Sequence, residues 1–273
     1  MLDTVYVNDR FLPSGAAQLP VSDLSILRGY GVFDYFRFAG GKPRFLDDHL
    51  ARLQDSIDAL HLELKVTDRG LTDIVHELIE RNGGGDGGIR IVVTGGLSAD
   101  GYTPTAPTLL LLGYPHLSPP TERYAMGCHC MLHHYERQLP RVKSIDYLEG
   151  IRIQPLLQQR GAQYPLYVDR DGLVRESDRS NFLIVHDGSL VTPYEDILLG
   201  ITRKHLLKLA RQLNIPVEER AVSVAELLGA DEAILCSTVK GALPITRVDG
   251  KEIGAGAAGA TTRKLMQAWA EYR

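Results

Sequence analysis

One lysine, Lys143, lies in the segment Arg141–Leu148 and could carry out chemistry on a carbonyl compound. A lysine amine condenses with an aldehyde to form a Schiff base, and once released it can accept and return protons. Burial or a neighbouring cation favours this reactivity because it lowers the pKa of the amine. A lysine taken alone is more often a solvated surface residue, so this interpretation needs support from other segments.

A second group of residues could bind a phosphate. The segment from Gly200 to Thr202 opens a helical pattern, and the N–H groups at a helix N-terminus bind anions. Thr202 can add its hydroxyl, and Arg52, on an earlier helical pattern, can donate two hydrogen bonds to a phosphate. Each residue has an ordinary alternative: Thr202 can cap its helix, and Arg52 can pair with Asp48 or Asp55 one turn away.

Two arginines stand next to or within apolar runs. Arg28 comes just before the apolar strand pattern that starts at Val32, and Arg90 lies inside the run Ile89–Val93. A buried arginine without a partner is destabilising, so we expect each to meet an anion. A substrate carboxylate, which guanidinium binds in fork geometry, is the interpretation we favour. A structural salt bridge to a local Asp or Glu is the alternative.

The periodicity of apolar residues predicts the elements that carry these side chains. Short runs of β-branched, aromatic or apolar residues predict strands at 5–7, 32–38, 89–94, 108–113, 123–132, 166–168 and 182–185. Helical spacing predicts helices at 47–60, 71–79 with Thr67 as the N-cap, 147–159, 201–213 and 261–272. This order predicts an α+β fold with mixed sheets.

A proline-rich stretch divides the chain. Three prolines and no periodic pattern indicate a linker over 115–120. We therefore predict a small N-terminal α/β domain over 1–114 and a larger C-terminal domain of mixed sheets and helices over 121–273.

Composition and charge limit the classes of partner. The chain has 273 residues, is 44% hydrophobic and carries a net charge of −4, which gives no reason to expect nucleic acid or a membrane surface. No apolar run approaches the roughly 18 residues that span a bilayer, and the N-terminus does not resemble a signal peptide. Three cysteines fit a reduced, cytoplasmic protein. The cysteine and histidine spacing at 128–134 fits no common zinc motif, so we predict no metal site.

Several segments together resemble the fold-type IV enzymes that depend on pyridoxal 5'-phosphate (PLP). That family includes branched-chain aminotransferases, D-amino acid transaminases and aminodeoxychorismate lyases. The likeness covers nearly the whole chain, and the segments follow the family's order and spacing. They are the opening motif Gly29–Asp34, then His49–Leu53, Arg141–Leu148, Glu176–Phe182 and Leu199–Arg203, and finally Ser237–Thr238.

The resemblance implies two domains, of which the larger binds PLP, and a role for each matching residue. Lys143 would be the catalytic residue and hold the cofactor as a Schiff base, and Glu176 would pair with the pyridine nitrogen. Tyr147 would hydrogen-bond the phenolic oxygen, and it shares a face with Lys143 if a helix begins there. The other residues implied for cofactor binding, mainly to the phosphate, are Arg52, Ile201, Thr202, Ser237 and Thr238.

Departures from the family pattern bear on the substrate. Many members have a tyrosine where this chain has Arg28, and the Arg-x-His pair of D-amino acid transaminases is absent from 95–102. We interpret the chain as a variant D-amino acid transaminase in which Arg28 and Arg90 bind the carboxylate. Natural substrates would be D-glutamate, D-alanine, 2-oxoglutarate and pyruvate. An L-branched-chain transaminase and a pyruvate-eliminating lyase like aminodeoxychorismate lyase remain alternatives. Family members are usually dimers, so we expect a homodimer.

Overall fold

A computed structural model describes residues 1–272 and divides the chain into two units. The first unit contains Met1–Leu117 together with Val142–Asp146, and the second contains Ser118–Arg141 and the chain from Tyr147 onward. The domain limits given by the sequence remain a prediction. The units differ from them in one respect, because the five residues around Lys143 belong to the first unit.

The first unit is built on one antiparallel sheet. Its strands are β1 (Thr4–Val7), β2 (Arg10–Pro13), β3 (Gly31–Ala39), β4 (Lys42–Pro43), β5 (Gly87–Thr94) and β6 (Leu109–Pro115). Its helices are α1 (Leu24–Arg28), α2 (Leu46–Ala59) and α3 (Asp68–Arg81), with a 3-10 turn at Ser14–Ala16. Every neighbouring pair of described strands is antiparallel, and their order is β2-β1-β6-β5-β3-β4.

Alternation along β3 separates a core face from an outer face. Val32 and Phe36 are buried in an apolar cluster to which α2 contributes Leu53. Successive side chains of a strand point to opposite faces, so Phe33 and Tyr35 lie on the outer face. The helix α2 therefore covers one side of the sheet, and Phe33 and Tyr35 lie on the other side.

The second unit is built on a mixed sheet. Its strands are β7 (Cys128–His134), β8 (Tyr164–Val168), β9 (Asn181–His186), β10 (Ser189–Thr192), β11 (Val217–Glu219), β12 (Glu232–Ser237), β13 (Gly241–Val248) and β14 (Lys251–Glu252). Its helices are α4 (Thr121–Met126), α5 (Leu148–Arg152), α6 (Gln154–Gln159), α7 (Ile201–Gln212), α8 (Val224–Leu228) and α9 (Ala260–Glu271). The strand order is β11-β10-β9-β12-β13-β7-β8, with β14 paired to β13.

The central strands of this sheet are apolar at successive positions because both faces are covered. On β9, Phe182 and Ile184 belong to one apolar cluster, whereas Leu183 belongs to another. The second cluster includes Leu206 of α7 and Leu265 of α9. Strand β9 is thereby held rigidly, and the residues at its start have fixed positions.

Two predicted elements are wrong in part. The strand predicted over 123–132 begins only at Cys128, because α4 occupies the preceding residues and Gly127 ends that helix at φ 75, which glycine adopts without strain. The single helix predicted over 147–159 is two helices. The break lies next to Pro155, which has no N–H to continue the hydrogen-bond ladder.

The predicted fold class, α+β with two sheets, is confirmed, although only the second sheet is mixed. The other predicted helices and strands are confirmed with shifts of a few residues at their ends, and the Thr67 side chain caps α3 by accepting from Gly70 N. Within residues 1–272, no helix is both long enough and apolar enough to cross a membrane.

Candidate active site

Lys143 lies in an extended segment beside β3. Phe33 N donates to the Lys143 carbonyl oxygen at 2.9 Å, and Ile145 N donates to the Gly31 carbonyl oxygen at 3.1 Å. The segment 142–146 therefore pairs with the start of β3 through a single antiparallel bridge between Ser144 and Val32. This pairing fixes the backbone from which the reactive amine extends.

The Lys143 side chain is half-buried on an aromatic ring. Its Nζ lies 4.7 Å from the centroid of the Phe33 ring. The guanidinium carbon of Arg90 lies 5.3 Å from the same centroid and 5.3 Å from the centroid of Tyr114. The Lys143 amine and the Arg90 guanidinium thus flank one ring on the outer face of the sheet, and each can make a favourable contact with the aromatic face.

The predicted burial of Arg28 and Arg90 is wrong. Arg90 is exposed because Ile89 and Ile91 occupy the core positions on either side of it in β5. Arg28 is exposed at the last residue of α1 and donates to the Leu27 carbonyl oxygen at 2.9 Å. Neither arginine forms an ion pair with a described residue. Because both side chains are exposed, burial no longer supports the hypothesis that they bind a substrate carboxylate.

Arg52 forms a buried bidentate ion pair with Asp34, which its sequence neighbours did not predict. Its Nε and Nη2 donate to the two carboxylate oxygens of Asp34, each at 2.8 Å. His49 Nδ1 lies 2.7 Å from Asp34 Oδ1. Burial alone would raise the pKa of Asp34, but Arg52 and His49 outweigh it and hold that pKa well below its usual range. The pair fixes the direction of the Arg52 side chain.

Ser56 links the lysine segment to the helix that carries Arg52. Its buried hydroxyl accepts from Lys143 N at 3.2 Å and donates to the Arg52 carbonyl oxygen at 3.0 Å. Three of the predicted site residues, Lys143, Arg52 and Arg90, are therefore brought together within the first unit. Arg28 lies at the exposed end of α1, and its described hydrogen bond is to the neighbouring Leu27 carbonyl oxygen.

In the second unit, Glu176 is a buried carboxylate surrounded by donors. Its Oε1 accepts from Arg137 Nη1 at 2.8 Å. Its Oε2 accepts from Leu198 N at 3.1 Å and from Asn181 Nδ2 at 3.3 Å. The Glu176 carboxylate therefore accepts three hydrogen bonds, which fix its position at the start of β9.

Tyr147 is the N-cap residue of α5, so the helix begins after it. The premise that Tyr147 shares a helical face with Lys143 is therefore wrong. Burial raises the pKa of Tyr147 to about 12, with Arg137 acting in the opposite sense and Glu176 in the same sense. The phenol consequently keeps its proton at neutral pH and can act as a hydrogen-bond donor.

The N-terminus of α7 has no side-chain cap. Gly200 is the N-cap residue, so the alternative in which Thr202 caps this helix is wrong. A Cβ atom on Gly200 would collide with Asn181 Oδ1, which explains why the position has no side chain. Ile201 and Thr202 form the buried first turn. The N–H groups of this turn remain available to an anion.

Ser237 and Thr238 lie where β12 turns into β13. Cys236 pairs with Asn181 across β12 and β9, so this turn lies beside the strand end that carries Asn181. The Ser237 hydroxyl accepts from Lys240 N at 3.3 Å. The start of β9 and the end of β12, two central strands of the second sheet, thus bring together the predicted residues Glu176, Ile201, Thr202, Ser237 and Thr238.

Sequence reasoning missed four residues that shape these sites. Asp34 gave a usable signal, because an acidic residue inside an apolar strand pattern must have a buried partner. Asn181 lies in a recognised motif but received no role. Arg137 and Lys240 gave no signal, since isolated basic residues in loops are ordinarily solvated.

A family model for amino-transferase class IV matches residues 31–248. The chain therefore belongs to the class IV aminotransferases. It is 31% identical to a putative branched-chain-amino-acid aminotransferase of Methanocaldococcus jannaschii, over 98% of this chain and 96% of that protein. It is 30% identical to a D-alanine aminotransferase of Bacillus licheniformis, over 97% of this chain and 95% of that protein.

Among solved structures, the chain is similar to a T.th. branched-chain amino acid aminotransferase with pyridoxamine 5'-phosphate. The TM-score is 0.93 at 22% identity, with 99% of this chain and 94% of that chain covered. The predicted cofactor, PLP, is confirmed by membership of the family. The residues present fit it, since they include a half-buried lysine amine, a buried carboxylate and a helix N-terminus that no side chain caps.

Proposed function

We propose that this aminotransferase transfers an amino group between a D-amino acid and a 2-oxo acid. D-glutamate, D-alanine, 2-oxoglutarate and pyruvate are the proposed substrates, and Lys143 is the proposed catalytic residue. Similarity to a D-alanine aminotransferase supports the handedness of the amino acid. The branched-chain relatives give the L-branched-chain transaminase as the second candidate.

One observation carries the proposal for an anionic substrate. The guanidinium of Arg90 flanks the same Phe33 ring as the Lys143 amine and has no carboxylate partner among the described residues. The carboxylates of an amino acid lie only a few bonds from its amino group. A substrate amine that reacts at Lys143 would therefore bring a carboxylate within reach of Arg90, which can bind it through two hydrogen bonds. We propose Arg28 as a further carboxylate ligand, on the sequence argument alone.

Three side chains have separate proposed roles in the reaction. Bound PLP supplies a conjugated ring that accepts the electron pair left when the α-proton is removed. The Lys143 amine would hold the cofactor until the substrate amine displaces it, and the freed amine would then remove that proton and return it to the cofactor carbon to which Lys143 had been bound. The Glu176 carboxylate would pair with the pyridine nitrogen of the cofactor, and the Tyr147 hydroxyl would donate to its phenolic oxygen.

The proposed phosphate ligands are backbone N–H groups, hydroxyls and one guanidinium. The N–H groups of Ile201 and Thr202 would donate to the phosphate at the start of α7, and the hydroxyl of Thr202 would add a donor. Ser237, Thr238 and Arg52 complete the proposed set. We also propose a homodimer, which light scattering after gel filtration can test, and a cytoplasmic location, on the sequence grounds given above.

The testing experiment is a half-reaction titration of the holoenzyme, followed by visible absorption, with D-glutamate, L-glutamate and L-leucine added separately. We expect D-glutamate alone to replace the band of Lys143-bound PLP by that of pyridoxamine phosphate. Conversion by L-leucine and L-glutamate would instead favour a branched-chain transaminase. No conversion, combined with release of pyruvate from an aminodeoxychorismate-type substrate, would favour the lyase.

A further inference from the structure

Lys240 is a buried lysine that has no role in the function proposed so far. It lies in the turn between β12 and β13, and only 7% of the residue is exposed. Its Nζ donates to the Ser180 hydroxyl at 2.9 Å and lies 4.3 Å from the centroid of the Tyr164 ring. Among the side chains that the structure describes, no carboxylate lies within ion-pairing distance of this ammonium group. Lysine is rarely buried unless it is paired, so the site is built for a negative partner.

The surrounding backbone holds the Lys240 side chain in place. Lys240 N donates to the Ser237 hydroxyl at 3.3 Å, and the Tyr124 hydroxyl donates to the Lys240 carbonyl oxygen at 2.8 Å. Ser180 directly precedes β9, whose first residue, Asn181, pairs with β12. Both members of the Lys240–Ser180 pair are therefore anchored to neighbouring strand ends, and neither needs to be ordered when a ligand binds.

The pair offers two donors to one ligand. The Ser180 hydroxyl accepts from Lys240, and within the described residues it has no acceptor for its own proton. An oxyanion beside it would receive hydrogen bonds from the hydroxyl and from the ammonium group. Burial lowers the pKa of Lys240 to about 8, with Asp178 acting against this shift and Arg179 reinforcing it. A bound anion would favour the charged form.

The location connects this pair with the candidate active site. Asn181, next to Ser180, donates to Glu176 Oε2 at 3.3 Å and touches the N-terminal glycine of α7. Lys240 therefore lies close to the ends of β9 and β12, where Glu176 and the start of α7 also lie. An exposed surface lysine elsewhere on this unit, such as Lys208, has no comparable surroundings.

We propose that the Lys240 ammonium and the Ser180 hydroxyl together bind a carboxylate of the amino acid or 2-oxo acid, and that Lys240 is a determinant of substrate specificity. This inference rests on the proposed transaminase function. The phosphate of PLP has the same oxyanion chemistry and is the other possible source of the ligand. The test therefore measures substrate binding and cofactor binding separately.

The test compares the wild type with Lys240→Met, Lys240→Arg and the surface control Lys208→Met, all as holoenzymes. Methionine fills a similar volume without charge. We expect Lys240→Met to fold, because an apolar side chain of similar volume can replace a buried charged one. The amino acid is whichever one converts the wild type, so an error in the proposed handedness does not affect the comparison. A wild type that no amino acid converts would instead refute the proposed function.

We expect Lys240→Met to raise the half-saturation concentration for that amino acid at least about 10-fold, since a direct charge-assisted contact is lost. Lys240→Arg should restore part of the loss, and Lys208→Met should have no effect. The dissociation constant of PLP, measured by equilibrium dialysis, should be unchanged in all three variants.

Two other outcomes would assign the Lys240–Ser180 pair to a different ligand or refute its role in ligand binding. A rise of about 10-fold in the PLP dissociation constant alone would support the oxyanion-binding pair but assign it to the cofactor phosphate. Unchanged binding of both ligands, with or without a change in melting temperature, would overturn the proposal and leave Lys240 with a structural role.

Discussion

Asp34→Asn removes one charge from the buried ion pair between Asp34 and Arg52. The Asp34 and Arg52 side chains are 1% and 10% exposed, and two hydrogen bonds of 2.8 Å join them. His49 makes a further contact to the same carboxylate at 2.7 Å. Asparagine keeps the shape of the side chain but leaves the guanidinium buried without its counter-charge.

Breaking a buried ion pair by removing one partner costs about 3–5 kcal/mol. For a chain of this size each kcal/mol corresponds to about 2–4 °C in melting temperature. We therefore expect Asp34→Asn to lower the melting temperature of the apoprotein by roughly 6–20 °C, as measured by circular dichroism at pH 7. The loss should appear without cofactor, because the pair does not depend on it.

Asp9→Asn is the matched control. Asp9 forms an ion pair with Arg10 in the same unit, but the two side chains are 81% and 76% exposed. The melting temperature of Asp9→Asn should therefore equal that of the wild type. An Asp34→Asn variant whose melting temperature also equals that of the wild type would refute the reasoning. It would mean that Arg52 finds solvent or another acceptor at no cost.

The pH dependence of stability gives a second check on the same pair. The pKa of Asp34 is held below its usual range, so the stabilisation is present above the unfolded value of about 3.9 and is lost as pH falls through the folded value. The difference between wild type and Asp34→Asn should therefore be constant from neutral pH down to about pH 5 and shrink below pH 4. A difference that grows in acid would contradict this sign.

Two further variants test the roles assigned to individual side chains. Arg90→Leu should weaken binding of D-glutamate in the half-reaction by about 2–4 kcal/mol if the carboxylate is desolvated against the guanidinium; a loss below about 1 kcal/mol, typical of an exposed ion pair, would contradict the assignment. Arg81→Leu is its control, because Arg81 also stacks on an aromatic ring, that of Phe11, but belongs to α3. Tyr147→Phe should weaken PLP binding by about 0.5–1.5 kcal/mol, the net contribution of one hydrogen bond. Its absorption spectrum should shift because the donor to the phenolic oxygen is lost, and an unchanged spectrum with unchanged affinity would remove Tyr147 from the cofactor site.

Periodicity was informative where one pattern extends over many residues. The helices α2, α3, α7 and α9 each alternate apolar and polar residues at helical spacing, and all four were predicted. Short elements such as β2, β4, β11 and β14 span two to four residues and gave no signal. Their existence depends on pairing with distant strands, which a local pattern does not contain.

The candidate site was predictable where the residues form recognised motifs, and not where tertiary contacts decide the environment. Lys143 and Glu176 were found from such motifs. The exposure of Arg90 could not be derived, because an arginine in an apolar run can face either side of a sheet, and the choice depends on which side the helices cover. The Lys240–Ser180 pair joins residues 60 positions apart, and only the register of β9 and β12 brings them together.

The central claim is that Lys143 holds the cofactor, and reductive trapping tests it most directly. The holoenzyme is treated with sodium borohydride, which fixes PLP to its lysine, and digested peptides are sequenced by mass spectrometry. We predict that the pyridoxyl group lies on Lys143. Its presence on Lys240, the buried lysine whose amine has a lowered pKa, would contradict the assignment of the catalytic residue.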